Sequence, residues 1–103
     1  MGGDRRPGAR RGGGVTANLL IVDDNLEHLD LMVDILDDDK RYRIFKASSG
    51  EEALEILDAQ DIHIVILDVV MPEIDGYEVC RRIRKKYNLR PIQIVMISGF
   101  SAR

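Results

Sequence analysis

A chain of 103 residues has room for one domain, and its 45% hydrophobic and 32% charged residues are typical of a globular protein. The longest unbroken apolar runs have four residues, so the sequence predicts no membrane span, and the N-terminus lacks the apolar stretch of a secretory signal. The single cysteine excludes an internal disulfide, and we therefore expect a cytoplasmic protein.

Residues 1–14 differ in composition from the rest of the chain. They hold six glycines and four arginines against one acid, while the whole chain has a net charge of −3, so the remaining residues are distinctly acidic. A segment with so few apolar side chains cannot offset the entropy that ordering costs. We expect residues 1–16 to be a disordered linker or expression remnant and residues 17–103 to form the domain. A nucleic-acid-binding arm is the alternative for the tail, whereas the acidic domain is not expected to bind nucleic acid.

The domain is predicted to begin with a strand, a helix and an edge strand. Residues 18–22 form a short apolar run typical of a buried strand, and Asp24 or Asn25 after it can cap the next helix. That helix is indicated by apolar residues at the spacing i, i+3, i+4 and i+7, namely Leu29, Met32, Val33 and Leu36. Residues 42–47 combine apolar with basic side chains, which favours a strand at the edge of a sheet.

The second half continues the alternation of strands and helices. Ser49 and Glu52 fit a capping box at the start of a second helix. The apolar run 64–67 predicts a central buried strand that ends at Asp68, and after a third helix the residues 92–97 predict a fourth strand. Strands that alternate with helices predict right-handed crossovers and a mostly parallel sheet, so the expected fold class is α/β.

Polar side chains follow three of the four predicted strands. Asp23 and Asp24 come after the first strand, Asp68 ends the third, and Ser98 follows the fourth. Because the carboxyl ends of parallel strands meet at one edge, we expect these groups to converge. Two carboxylates about 4 Å apart repel by about 4 kcal/mol at an effective dielectric of about 20, so they need a proton or a shared cation. Hard oxygen ligands favour Mg²⁺; the alternative is that the acids after the first strand only cap the next helix.

The loop after Asp68 carries the most specific motif. It reads Asp-Val-Val-Met-Pro-Glu-Ile-Asp-Gly from Asp68 to Gly76, and its proline and glycine indicate a shaped loop. Together with Val22-Asp23-Asp24 and the apolar strand that leads into Ser98-Gly99, this motif resembles the receiver domain of two-component response regulators. The resemblance covers residues 17–103 and implies a flavodoxin-like, doubly wound parallel sheet with strand order 2-1-3-4.

The resemblance also implies a role for each polar residue at the strand ends. Asp68 matches the phosphoacceptor, which takes a phosphoryl group from a phosphohistidine on a histidine kinase or phosphotransfer protein. Asp24, Asp68 and the backbone carbonyl of Val70 match the ligands of Mg²⁺, and Asp23 would position the ion through water. Ser98 matches the switch hydroxyl that hydrogen-bonds the new phosphate. Such a module is not an enzyme beyond catalysing its own phosphorylation and dephosphorylation.

One element of the family is missing from the pattern. Receivers carry a lysine at the end of a fifth strand, and this chain stops before that strand and its neighbouring helices. A first alternative is therefore an interaction module that keeps the fold without phosphotransfer. A second is a Mg²⁺-dependent phosphohydrolase, which needs an acid just after the nucleophile, where Val69 and Val70 stand. The apolar residues 92–97 would lie at the edge of the sheet, so we expect self-association through the fourth strand.

The sequence also predicts the environment or role of four further side chains. His28 lies outside the apolar stripe of the first helix and is expected to be solvated. His63, just before the central strand, is expected to be a packing or surface residue. Cys80 is expected to act as a small core hydrophobe, and Asp75 to cap the third helix.

Overall fold

The structure, a computed structural model, describes residues 17–97. Strands and helices alternate as predicted, and in chain order they are β1 (Ala17–Val22), α1 (Leu26–Asp37), β2 (Tyr42–Ala47), α2 (Gly50–Ala59), β3 (Ile64–Asp68), α3 (Gly76–Lys86) and β4 (Gln93–Ile97). The predicted tail 1–16 and the predicted switch residue Ser98 lie outside the described residues.

The four strands form one parallel sheet in the order β2-β1-β3-β4, which confirms the predicted topology. Val22 of β1 pairs with Leu67 of β3, and Asp68 of β3 pairs with Ile97 of β4. Since β2 lies on one side of β1 and β3 on the other, the strand order reverses between β1 and β3. The carboxyl ends of strands at such a reversal border the crevice in which open α/β sheets bind ligands.

The two central strands, β1 and β3, are covered on both faces of the sheet. The core shared with α2 and α3 includes the strand residues Leu20, Val22, Val65 and Leu67. The core under α1 includes Leu19, Ile21, Leu29 and Met32. Because successive strand residues face opposite sides, a strand between two cores must be apolar at every position. This explains the unbroken apolar runs that predicted both strands.

Side-chain caps determine where the helices begin. Asn25 Oδ1 accepts hydrogen bonds from two backbone N–H groups of the first turn of α1, at 3.0 and 3.1 Å. Asn25 is therefore the N-cap, and Asp24 is not needed for that role. Asp75 caps α3 as predicted, and its side chain accepts from the N–H of Glu78 at 2.9 Å. The cap of α1 thus leaves both acids after β1 available for another purpose.

The predicted capping box of α2 is only half correct. Ser49 caps the helix and accepts from the N–H of Glu52 at 3.1 Å. The Glu52 carboxylate, however, reaches back to Ser48, whose N–H and hydroxyl donate to it at 2.7 and 3.1 Å. The extended backbone at Ser49 lets the carboxylate reach one residue further back, where it finds two donors in place of one.

The basic C-terminal end of α3 is tied into the fold. The Tyr87 hydroxyl and the Lys86 ammonium both donate to the carboxylate of Asp58 on α2. Arg84 donates to the carbonyl of Ile92 at 2.6 Å. Burial raises the pKa of Tyr87 to about 12, and the hydrogen bond to Asp58 acts in the same direction. These basic and aromatic side chains therefore hold α3 against α2 and against the start of β4.

Gly76, the first residue of α3, is required by a close contact. A Cβ atom here would lie 2.4 Å from the carbonyl oxygen of Asp68 and 2.8 Å from Cα of Val69, both of which are backbone atoms. The N–H of Gly76 also donates to the carbonyl of Val69 at 2.9 Å. The positive φ of this loop is that of Glu73, at 66°. Gly76 is needed for space.

We expect Gly76→Ala to lower the free energy of unfolding by about 2 kcal/mol, because an added methyl group in a filled site costs about 1–3 kcal/mol. Urea unfolding followed by circular dichroism measures the change. Gly50→Ala is the matched control, since the three atoms nearest to a Cβ atom there belong to the side chains of Val79 and Ile74. Side chains can rearrange, so the control should lose less stability. Equal losses in the two variants would contradict this reading of Gly76.

Candidate metal centre

Three carboxylates converge where β1 and β3 end. Asp23 and Asp24 follow β1, Asp68 is the last residue of β3, and one oxygen of each lies within 4.8 Å of the others. Asp23 and Asp68 are fully buried, and Asp24 is half-buried. The pairing of Val22 with Leu67 places Asp23 beside Asp68, as the residues after each predicted strand indicated.

Hydrogen bonds satisfy only part of this acid cluster. One oxygen of Asp23 accepts from the N–H of Asn25 at 2.9 Å, and one oxygen of Asp68 accepts from the N–H of Val70 at 3.2 Å. Within residues 17–97, the second oxygen of Asp23 and Oδ1 of Asp24 are buried and accept no hydrogen bond. Buried polar atoms nearly always have a partner. Buried acceptor oxygens in a group of acids are suited to a cation.

Burial raises the pKa of Asp23 above its ordinary value of 3.8. The N–H of Asn25 opposes this shift, and the neighbouring charge of Asp68 adds to it. When the folded pKa of an acid is raised, ionisation costs folding free energy. The cost develops as the pH rises from 3.8 through the folded pKa, and it is fully present at pH values above both. At neutral pH the cluster therefore destabilises the fold unless a cation offsets its charge.

We expect Asp24→Asn to stabilise the metal-free domain at neutral pH. The substitution removes one charge from the cluster, and about 1 kcal/mol of relieved repulsion corresponds to about 4–8 °C in melting temperature for a domain of this size. Thermal melting in chelator measures the gain, which should shrink as the pH falls and Asp23 takes up a proton. Asp34→Asn, at an exposed acid of α1, is the control with the same change in net charge. A melting temperature below that of the wild type would overturn the expectation.

The expectation that His28 is solvated is wrong. Its Nδ1 lies 3.9 Å from a carboxylate oxygen of Asp23, and its side chain is only 27% exposed. His28 is the third residue of α1. Helical Cα–Cβ bonds tilt toward the N-terminus, so a side chain in the first turn reaches back toward the strand end. The apolar stripe of the helix could not reveal this position.

The remaining predicted residues lie where their patterns suggested. His63 is exposed at the opposite end of the sheet, where its Nδ1 accepts from the N–H of Asn18 at 2.9 Å. Cys80 is half-buried and packs against the core that α2 and α3 share. Val70 is held at the acid cluster by its N–H, and its side chain is 49% exposed. The role of the Val70 carbonyl as a ligand stays a prediction.

A doubly wound parallel sheet with acids at the ends of β1 and β3 is the arrangement that the resemblance to receiver domains implied. Residues 19–103 match the family described as the response regulator receiver domain, and the chain belongs to that family. The match confirms the resemblance that the motif after Asp68 indicated. The chain is thus a receiver domain of two-component signal transduction.

Two curated relatives illustrate the family. The regulatory protein VanR of Enterococcus faecium is 37% identical over 79% of this chain and 33% of the relative. A probable cyclic di-GMP phosphodiesterase of Vibrio cholerae is 41% identical over 81% of this chain and 18% of the relative. The chain therefore spans a third or less of the length of these two relatives.

Solved structures share the fold at similar levels of identity. The response regulator TrrA from Thermotoga maritima, in complex with Mg²⁺ and BeF, is 35% identical with a TM-score of 0.74, over 82% of this chain and 71% of that chain. The N-terminal domain of a response regulator receiver protein from Methanoculleus marisnigri is 38% identical with a TM-score of 0.71, over 78% of this chain and 64% of that chain. In the part of the chain that the structure describes, no helix has the length and apolar character needed to cross a membrane.

Proposed function

We propose that this domain acts in the cytoplasm and accepts a phosphoryl group on Asp68 from the phosphohistidine of a histidine kinase or phosphotransfer protein. The observation that carries the proposal is the position of Asp68 at the end of β3, with one oxygen within 4.8 Å of oxygens of Asp23 and Asp24. A carboxylate at the crevice of an open α/β sheet is placed to act as a nucleophile toward a bound phosphoryl group. The complex of TrrA with Mg²⁺ and BeF supports the same assignment.

The residues that would hold Mg²⁺ are Asp24, Asp68 and the carbonyl of Val70, with Asp23 acting through a water molecule. A bound ion supplies the positive charge that lets a phosphoryl group approach three carboxylates. An all-oxygen set of this kind suits Mg²⁺, which keeps several waters and takes one or two carboxylates. The buried oxygens of Asp23 and Asp24 that accept no hydrogen bond within the described residues support the assignment.

In the proposed transfer, an oxygen of Asp68 forms a bond to phosphorus while the bond from phosphorus to the donor histidine nitrogen breaks. The electron pair stays on that nitrogen, which takes up a proton, and Asp68 becomes an acyl phosphate. The N–H of Val70, 3.2 Å from Asp68 Oδ1, orients the carboxylate before the transfer. Ser98 would donate a hydrogen bond to the new phosphate. The domain would thus catalyse only its own phosphorylation and dephosphorylation.

A small-molecule phosphodonor tests the proposal without the partner kinase. With acetyl phosphate and Mg²⁺, the intact mass of the chain should rise by one phosphoryl group, and with chelator it should not. Fluoroberyllate mimics a bound phosphoryl group and should shift the amide NMR signals around Asp68 only when Mg²⁺ is present. NMR is the suitable readout because the chain has no tryptophan. The proposal would be contradicted if the mass did not rise with acetyl phosphate and Mg²⁺ and the amide signals did not shift with fluoroberyllate and Mg²⁺.

The two alternative functions are less well supported. An interaction module without phosphotransfer has no need of converging acids, and here Asp23, Asp24 and Asp68 lie together. A phosphohydrolase of the aspartyl-phosphate type needs a general acid just after the nucleophile. Val69 and Val70 occupy those positions and cannot transfer a proton. The phosphoacceptor function remains the one that the site supports best.

We also propose that this 103-residue chain self-associates through β4. Among the described strands, β4 pairs only with β3, and Val95 at its centre is 44% exposed. The groove beside it has an entirely apolar lining formed by Met32, Ile35, Leu36, Ile66 and Ile97. An unpaired strand edge next to apolar surface recruits other chains.

We expect Val95→Lys to move the chain toward the monomer, because a charge at the centre of an edge strand opposes pairing. Size exclusion with light scattering at high micromolar concentration measures the change. Leu89→Lys is the control, since Leu89 is 93% exposed and lies outside β4. The control should associate like the wild type. A monomeric wild type under these conditions would exclude this mode of association.

A further inference from the structure

The acid cluster has a neighbour that the proposed phosphotransfer does not use. Nδ1 of His28 is buried and lies 3.9 Å from Oδ2 of Asp23. That oxygen belongs to a fully buried carboxylate and accepts no hydrogen bond from residues 17–97. An imidazole nitrogen therefore lies at the margin of a group of carboxylate oxygens, beside an oxygen that is suited to a cation.

The distance between these two atoms would let a first-row ion bind both of them directly, whereas Mg²⁺ would contact Asp23 only through water. A divalent first-row ion such as Zn²⁺ holds nitrogen and oxygen ligands at about 2.0–2.2 Å, so two of its ligands lie at most about 4.3 Å apart. The separation of 3.9 Å between Nδ1 and Oδ2 is within this limit.

We propose that His28 adds a nitrogen ligand to the oxygen ligands of the acid cluster. The imidazole raises the affinity of the site for ions that bind imidazole, such as Co²⁺, Ni²⁺ and Zn²⁺, above the affinity that the carboxylates alone provide. This inference rests on the metal site of the proposed function. Mg²⁺ binds hard oxygen ligands and gains little from an imidazole. The later first-row ions bind imidazole well. His28 is therefore a specificity-determining residue for the ion and takes no part in the transfer of the phosphoryl group.

Metal titrations of the wild type and of His28→Gln test the inference. Affinity for Co²⁺ is measured by visible absorption, and affinity for Mg²⁺ by calorimetry. Loss of the imidazole should weaken Co²⁺ binding by about tenfold or more, because groups around a metal contribute about 10–100-fold to its affinity. Mg²⁺ affinity should change by less than about twofold, because an imidazole adds little to Mg²⁺ binding. His63→Gln, at the exposed histidine at the other end of the sheet, should leave both affinities unchanged.

An NMR measurement on a protein that keeps His28 makes the test independent of the folding of His28→Gln. In the Co²⁺ complex of His63→Gln, the one remaining histidine should give the strongly shifted, exchangeable imidazole proton signal of a coordinated ring. Absence of that signal, or equal losses of Co²⁺ and Mg²⁺ affinity in His28→Gln, would overturn the role of His28. In both cases Mg²⁺ binding by the wild type would leave the proposed function intact. If the wild type binds neither ion, the inference and the metal site fail together.

Discussion

Asp68→Asn should carry no phosphoryl group after incubation with acetyl phosphate and Mg²⁺, whereas the wild type should be labelled on this residue. An amide oxygen is too weak a nucleophile to form the acyl phosphate. The fold should survive, because Asn can keep the hydrogen bond that Asp68 accepts from the N–H of Val70. The expected effect is a loss of label to background, measured by intact mass and by proteolytic mapping of the labelled peptide.

An acid near Asp68 provides the control for this experiment. Glu73 is an exposed acid in the same loop, so Glu73→Gln removes a carboxylate near the site without changing the acid cluster. This variant should be labelled like the wild type. A phosphoryl group that persists in Asp68→Asn would show that another residue is the acceptor and would contradict the central proposal.

Asp24→Asn should weaken Mg²⁺ binding by about a hundredfold, which corresponds to about 2.8 kcal/mol. Asp24 has a buried oxygen that accepts no hydrogen bond within the described residues, and its carboxylate lies in the cluster with Asp68. An amide at this position offers the ion no negative charge, so much of the attraction is lost. Calorimetric titration measures the affinity in the wild type and in the variant.

Loss of a metal ligand in Asp24→Asn can be distinguished from loss of structure. Asn25 caps α1, so replacing Asp24 does not remove the start of the helix. Asp34→Asn changes the net charge equally at an exposed position and should keep wild-type affinity. An unchanged Mg²⁺ affinity in Asp24→Asn would exclude Asp24 as a ligand.

The sheet and the convergence of the acids could be predicted because both depend on local patterns. A strand between two cores must be apolar throughout, and this alone identified β1 and β3. Parallel strands bring their carboxyl ends to one edge, so the acids after β1 and β3 had to meet there. The position of Asp68 required only these two rules and the motif that follows it.

Other features could not be predicted because they depend on distances between separate elements. Gly76 is needed since the first turn of α3 lies against the backbone of Asp68, and no local pattern encodes that contact. The approach of His28 to Asp23 depends on how the first turn of α1 lies over the end of β1. Which N–H the Glu52 carboxylate reaches depends on the extended backbone before α2.

The register between β1 and β3 limits how the length of this domain can change during evolution. Asp23 lies beside Asp68 because Val22 pairs with Leu67. A single residue inserted within either strand would turn the following side chains to the opposite face and move one acid out of the crevice. The connections at 38–41 and 87–92 precede β2 and β4 and carry no such limit. Insertions and deletions in related sequences should therefore be found in these connections and be absent from the two strands that end in acids.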